Sequence, residues 1–74
     1  MFVKVVLPKD RGYTSYDCAR YSVFWAEENG GLDHHMMVLE LKSGDTIDVH
    51  LGDKENVFIE NDHGQTINHF LVSY

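Results

Sequence analysis

The sequence predicts a mainly β fold: a small antiparallel meander of five or six strands, which at this size tends to curl into a small barrel or to pack against a partner sheet. Three observations favour it. Residues 37–42 and 46–51 repeat with a period of two, and in the second stretch apolar and polar residues alternate without a fault. Turn-forming residues separate the apolar stretches. Aromatic and β-branched residues, which favour strands, are concentrated at 21–25.

The first predicted strand is the apolar run of residues 2–7. It is followed by the segment Pro8–Gly12, which reads Pro-Lys-Asp-Arg-Gly. Proline, charged residues and glycine in succession end a strand and begin a loop.

The segment 14–31 is compatible with two structures. A helix at about 15–29 is favoured by a capping signal, Thr14 followed three residues later by Asp17. The glycine pair 30–31, which follows an asparagine, would then stop that helix. This alternative makes the fold α+β, with one helix.

A strand is the preferred interpretation of the same segment. Tyrosine, valine, phenylalanine and tryptophan lie close together in 21–25, and these residue types favour extended backbone over helix. In this interpretation Gly30 and Gly31 form the tip of a hairpin that joins residues 20–28 to residues 34–42.

The remaining strands follow in order, each separated by a turn. Ser43-Gly44-Asp45 connects the two alternating stretches, and residues 52–56 form the next loop. A short strand follows at 57–60, and then a turn at 61–64. The last strand, at about 66–72, is apolar on both faces: Ile67 and Leu71 lie on one face, and Phe70, Val72 and Tyr74 on the other. We expect one face to meet the core and the other a partner.

The chain of 74 residues, 43% of them hydrophobic, predicts a single domain over residues 1–74. Such a small domain usually needs a disulfide, a metal or a partner subunit to stabilise it. Cys18 is the single cysteine, which excludes an internal disulfide and favours a cytoplasmic location. We therefore expect a homo-oligomer. The sequence has no apolar run long enough to cross a membrane, so we expect no membrane association.

The charge distribution is uneven. Twelve acidic residues oppose six basic ones, and the formal net charge of −6 argues against general nucleic acid binding. Residues 1–20 contain four basic and two acidic residues, whereas residues 21–74 contain two basic and ten acidic residues. The one locally basic segment is therefore the loop from about Pro8 to Arg20.

Signals for catalysis or metal binding are weak, so we expect no enzyme, no cofactor and no metal. The five histidines lack the spacing of known metal sites, and His34 and His35 point to opposite faces of a strand because they are adjacent. None of the glycine-rich nucleophile or phosphate-binding motifs is present. The one candidate for an activated thiol is Cys18, through the nearby Arg20.

The basic segment is the predicted ligand site of a small non-enzymatic binding module. Lys9, Arg11 and Arg20 supply cationic groups that hold phosphate, and they are interleaved with tyrosines. Tyr13 and Tyr16 supply rings that stack on a base. We therefore expect the module to sequester a small anionic, nucleotide-like ligand, with a neighbouring subunit closing the pocket.

The acidic remainder of the chain indicates an alternative function. A sheet that presents many carboxylates imitates a phosphate backbone and can block a basic site on another protein. The carboxylates expected on turns and polar strand faces are Asp45, Asp48, Asp53, Glu55, Glu60 and Asp62. The chain would then be an acidic inhibitor of a host protein. Small acidic chains without catalytic motifs resemble in general type the accessory proteins of phages and mobile elements.

Overall fold

A computed structural model describes residues 1–27 and 33–73. These residues form six strands and no helix, which confirms the predicted mainly β class. The strands are β1 (Phe2–Val6), β2 (Tyr13–Glu27), β3 (Asp33–Leu41), β4 (Thr46–Leu51), β5 (Asn56–Glu60) and β6 (Thr66–Leu71). They form one antiparallel sheet in the order β4-β3-β2-β1-β5-β6. Within the described residues the sheet does not close into a barrel.

The long strand β2 organises the sheet because its two halves pair with different strands. Its first half pairs with β1, with Tyr16 opposite Val3. Its second half pairs with β3, with Tyr21 opposite Leu39. The register shifts between Cys18 and Arg20, where the two halves meet. A bulge of this kind bends a strand and increases its twist.

The helix alternative at about 15–29 is wrong, because β2 is extended through Glu27. The capping signal misleads because Thr14 lies within a strand, opposite Val5 of β1. Pairing with β1 and β3 therefore outweighs a local helix signal, as tertiary context often does. The predicted hairpin tip at Gly30 and Gly31 lies outside the described residues.

The chain crosses from one half of the molecule to the other between β4 and β5. Strand β5 pairs with β1 rather than with β4, with Val57 opposite Val5. The connecting segment 52–55 is anchored to the end of the last strand. Lys54 donates its amide proton to the Val72 carbonyl at an N···O distance of 2.7 Å, and the Val72 amide donates to the Glu55 carbonyl at 2.9 Å.

The core lies between the two halves of the bent sheet. Among the residues whose burial is described, nine buried side chains form it, drawn from β1 to β5 and from the residue that follows β6. They are Val3, Val5, Cys18, Met37, Leu39, Leu51, Val57, Ile59 and Val72. Burying an aliphatic side chain of this size stabilises the fold by about 1.5–3 kcal/mol. The alternation of apolar and polar residues that predicted the strands therefore corresponds to the alternation of core-facing and solvent-facing side chains.

Two predicted turns contain glycines that the backbone requires. Gly44 has φ of 95° between β3 and β4, and Gly64 has φ of 77° between β5 and β6. Residues with a Cβ atom rarely adopt such angles, so glycine removes a local strain there. These two turns lie where the sequence predicts them.

Candidate functional site

The five residues predicted to bind an anionic ligand lie along the segment from the β1–β2 connection to the second half of β2. Lys9 lies in the turn after β1, with a positive φ of 59°, and Arg11 is exposed before β2 begins. Tyr13 opens β2 and is 62% exposed. Tyr16 is half-buried and packs against the core. Arg20 is exposed in the second half of β2.

The two predicted tyrosines do not share a face. Tyr13 and Tyr16 are three residues apart and therefore face opposite sides of β2. The Lys4 ammonium lies 4.2 Å from the Tyr13 ring centre, so this ring already holds a cation of the same chain.

Arg20 lines a concavity of about 310 Å³ on the outer face of β2, β3 and β4. Glu40 also lines it and is the cross-strand partner of Arg20. A carboxylate in this position reduces the attraction of the guanidinium for an anion. The other lining residues are Tyr21, Ser22, Val38 and Thr46.

A larger cleft of about 370 Å³ opens between β6 and the inner face of β2 and β3. Its volume lies within the range of small-molecule sites, roughly 300–1,000 Å³. The lining residues are Tyr21, Val23, His35, Asn68, Phe70, Leu71 and Val72. Tyr21 and Val23 reach it because they alternate with the outward-facing Arg20 and Ser22 along β2.

One polar contact crosses this cleft. The Asn68 amide nitrogen donates a hydrogen bond to the Tyr21 hydroxyl oxygen at 3.4 Å. This distance is long for a hydrogen bond, so the contact is weak and the two groups can exchange it for a ligand. Both residues place a polar group at the edge of a wall that is otherwise largely apolar. A few polar groups in an apolar lining are typical of ligand pockets.

The cleft combines aromatic surface with neutral hydrogen-bonding groups. Tyr21 and Phe70 supply rings, and His35 supplies an imidazole. The described lining residues include no lysine, arginine, aspartate or glutamate. Such a site suits a flat ring with its own donors and acceptors better than a bare anion.

The cleft is not predictable from local spacing, because its two walls are distant along the chain. Tyr21 and Asn68 are 47 residues apart, and no spacing rule brings them together. One feature of the sequence does point to the cleft: the last strand is apolar on both faces, and Phe70 and Val72 are predicted to lie on the same face. Both line the cleft, and Val72 also belongs to the core.

His69 lies on the opposite face of β6 from the cleft and has a packing role. Its ring stacks on Phe58, with ring centres 4.4 Å apart and an angle of 11° between the planes. Its Nε2 atom lies 3.0 Å from the Asn56 side-chain oxygen. Within residues 1–27 and 33–73, no three histidine, cysteine, aspartate or glutamate side chains are grouped to hold a metal ion.

Cys18 is not an activated thiol. Its side chain is fully buried in the core, and burial raises the pKa of the thiol because the charged thiolate loses water. The proposed effect of Arg20 is wrong, and the Met1 amino group and Lys42 offset only part of the rise. The cysteine is therefore a core residue.

The acidic residues differ in how free they are to bind a partner. Asp62 lies 2.8 Å from the Met1 amino nitrogen, and this contact, with smaller effects of Lys42 and His63, lowers the pKa of its carboxyl. Lys42 lies 3.0 Å from Asp17 and 4.0 Å from Asp62. Asp45 and Asp48 are exposed near the β3–β4 turn, with Asp45 accepting a hydrogen bond from the Ser43 hydroxyl at 3.2 Å.

None of the described segments is a helix that is long and apolar enough to span a bilayer. Comparisons with protein-family models, with curated proteins and with solved structures found no significant match. The function is therefore inferred from the chemistry of the surface itself.

Proposed function

We propose that this protein is a non-enzymatic binding module that sequesters a small nucleotide-like ligand, with the ligand's ring in the cleft between β6 and β2–β3. The observation that carries the proposal is the combination of ring surface and neutral polar groups in a concavity of about 370 Å³. Tyr21 and Phe70 provide surface for a flat heterocycle. Asn68 and the Tyr21 hydroxyl provide hydrogen bonds that fix its orientation.

The anionic part of such a ligand stays outside the cleft. A charged phosphate is costly to bury without a cationic partner, and the described lining residues include none. The phosphate therefore remains in water at the mouth or is held by cationic groups of another subunit. The cationic segment with Lys9, Arg11 and Arg20 is our candidate for that second role, together with the tyrosines Tyr13 and Tyr16.

The absence of catalysis is part of the proposal. A nucleophile needs an adjacent base or a lowered pKa, and the buried Cys18 thiol has a raised pKa. A free, buried thiol also agrees with residence in the reducing cytoplasm. Sequestration requires binding and no reacting group.

Calorimetric titration tests the proposal. Cyclic and linear nucleotides are titrated into wild type, Asn68→Ala and Tyr21→Phe, with Ser22→Ala as the matched control because Ser22 neighbours Tyr21 but faces away from the cleft. We expect one nucleotide to bind, and each cleft variant to weaken binding by about 0.5–1.5 kcal/mol, the net value of a hydrogen bond. Ser22→Ala should bind as wild type does.

The same titration with Arg11→Ala and Arg20→Ala locates the anionic group. A loss of about 1.5–3 kcal/mol in either variant assigns the phosphate to the basic segment, because hydrogen bonds to charged groups have about this value. If wild type binds no nucleotide, the sequestration proposal fails. If the cleft variants bind as wild type does, the ligand occupies another site.

A second candidate function is inhibition of a basic protein through the acidic surface. What favours it is that Glu40, Asp45 and Asp48 are all exposed on the β3–β4 hairpin. Such a surface attracts a cationic partner and keeps away other anions. Titration with a lysine-rich peptide at low and high salt, using wild type and Asp48→Asn, tests it. Binding that weakens with salt and with the substitution supports this function.

A further inference from the structure

We propose that a second copy of this chain pairs with the open edge of β6. The sheet then continues across a two-fold axis, and the partner strand forms an additional wall of the cleft. The inference goes beyond ligand binding and does not depend on it. It is based on three features of β6: the direction of its backbone N–H and C=O groups, its exposed side chains and its charge.

The backbone of β6 offers hydrogen bonds on its open side. The Val72 amide and carbonyl both bond toward the segment before β5. Because N–H and C=O groups alternate in direction along a strand, those of Leu71 and His69 point away from β5. Strand β6 is the last strand of the sheet on this side. One of these groups, the His69 amide, donates to the Asn68 side-chain oxygen at 2.9 Å.

The side chains of β6 are those of an interface rather than of a protected edge. Ile67 is 60% exposed and Leu71 is 56% exposed. Edge strands that must remain unpaired usually carry lysine, proline or an inward-pointing charge. Residues 66–73 contain none of these, although a register shift opposite Ile59 and Glu60 interrupts the start of the strand.

Charge favours β6 over β4 as the edge at which a second copy pairs. The chain has a net charge of −6, so two copies repel each other unless they meet at an uncharged surface. Residues 66–73 carry no aspartate, glutamate, lysine or arginine, and His69 is the one titratable side chain among them. The opposite edge strand, β4, carries Asp48 and is flanked by Asp45 and Asp53. Of the two edges, β6 is therefore the one that a second acidic copy can approach.

The pairing also completes the cleft. An antiparallel pair that sets Leu71 against His69 of the second copy uses the outward-facing groups of Leu71 and the His69 carbonyl, and it places Phe70 opposite Phe70 of the second copy. The His69 amide joins this pairing by exchanging its bond to the Asn68 side-chain oxygen for one across the axis. Phe70 lines the cleft, so the second Phe70 extends its aromatic wall. Such a two-fold contact is self-complementary, as in most homodimers.

Sedimentation equilibrium from about 5 to 500 µM tests the proposal with two kinds of variant. Leu71→Pro removes an outward amide and keeps the β5–β6 hydrogen bonds, since proline is tolerated at an outward position of an edge strand. Leu71→Glu keeps the backbone and adds like charges across the axis. The matched controls are Thr46→Pro, at an outward position of the β4 edge, and Phe24→Glu, an exposed aromatic residue on β2.

We expect wild type and both controls to reach twice the chain mass of 8.5 kDa, and both Leu71 variants to remain monomers. Circular dichroism shows whether each variant is folded, and Leu71→Glu keeps the test valid if Leu71→Pro is not. If wild type is still a monomer at 500 µM, the proposal is overturned. A strand of another protein is then the remaining candidate to pair with this edge. A dimer that persists in a folded Leu71 variant overturns it as well.

Discussion

Asn68 and Tyr21 meet across the cleft: the Asn68 amide donates to the Tyr21 hydroxyl at 3.4 Å, although the two residues are 47 positions apart in the sequence. Each residue belongs to a different half of the bent sheet, Tyr21 to the β2–β3 half and Asn68 to the edge strand β6. The contact therefore reports how the two halves are positioned relative to each other at the site proposed to bind ligand.

A double-mutant cycle with Tyr21→Phe and Asn68→Ala measures this contact. We expect a coupling free energy of at most about 1 kcal/mol, because the bond is long and lies at the surface. Urea unfolding of wild type, both single variants and the double variant gives the value. Coupling near zero shows that the contact does not contribute to stability, whereas coupling above about 2 kcal/mol contradicts a weak bond.

Met37→Ala tests the core. Met37 is fully buried at the centre of β3, and truncation of a buried methionine costs about 2–5 kcal/mol. A domain of this length has a total stability of roughly 4–11 kcal/mol, so the variant should unfold at a much lower urea concentration or not fold. Its neighbour Met36, half-buried on the other face, is the control. An equal loss in Met36→Ala contradicts the assignment of faces.

The contact between Asp62 and the Met1 amino group predicts a pH dependence. Because that contact lowers the pKa of Asp62 below its ordinary value of 3.8, its contribution is present above about pH 4 and is lost as the pH falls through the folded-state pKa. Thermal unfolding of wild type and Asp62→Asn should therefore differ at pH 7 and converge near pH 2. Asp48→Asn, exposed elsewhere, is the control. A difference that grows at acid pH contradicts the prediction.

Alkylation of Cys18 tests its burial. Because the thiol is inaccessible and its pKa is raised, iodoacetamide should modify the native protein only as fast as the core opens. The unfolded protein in urea should react at the rate of a free cysteine peptide. Rapid modification of the native protein, without loss of circular dichroism, would show that the thiol is accessible.

The strands were predictable because the alternation of apolar and polar residues survives in the three-dimensional structure. Val57 and Ile59 alternate with Phe58 in the sequence and face the core in the sheet. The helix signal at Thr14 failed because pairing with β1 depends on residues distant in sequence. The candidate site was harder to predict for the same reason: local spacing identifies the basic segment, whereas the cleft depends on how β6 meets β2.

The most direct test of ligand binding in the cleft is a two-dimensional ¹H–¹⁵N spectrum recorded during titration with the nucleotide that binds in calorimetry. The proposal predicts that the largest shifts occur in the Asn68 side-chain amide and in the backbone amides of His35, Phe70 and Leu71. Shifts confined to residues 9–20, or no saturable shift at millimolar nucleotide, would contradict it.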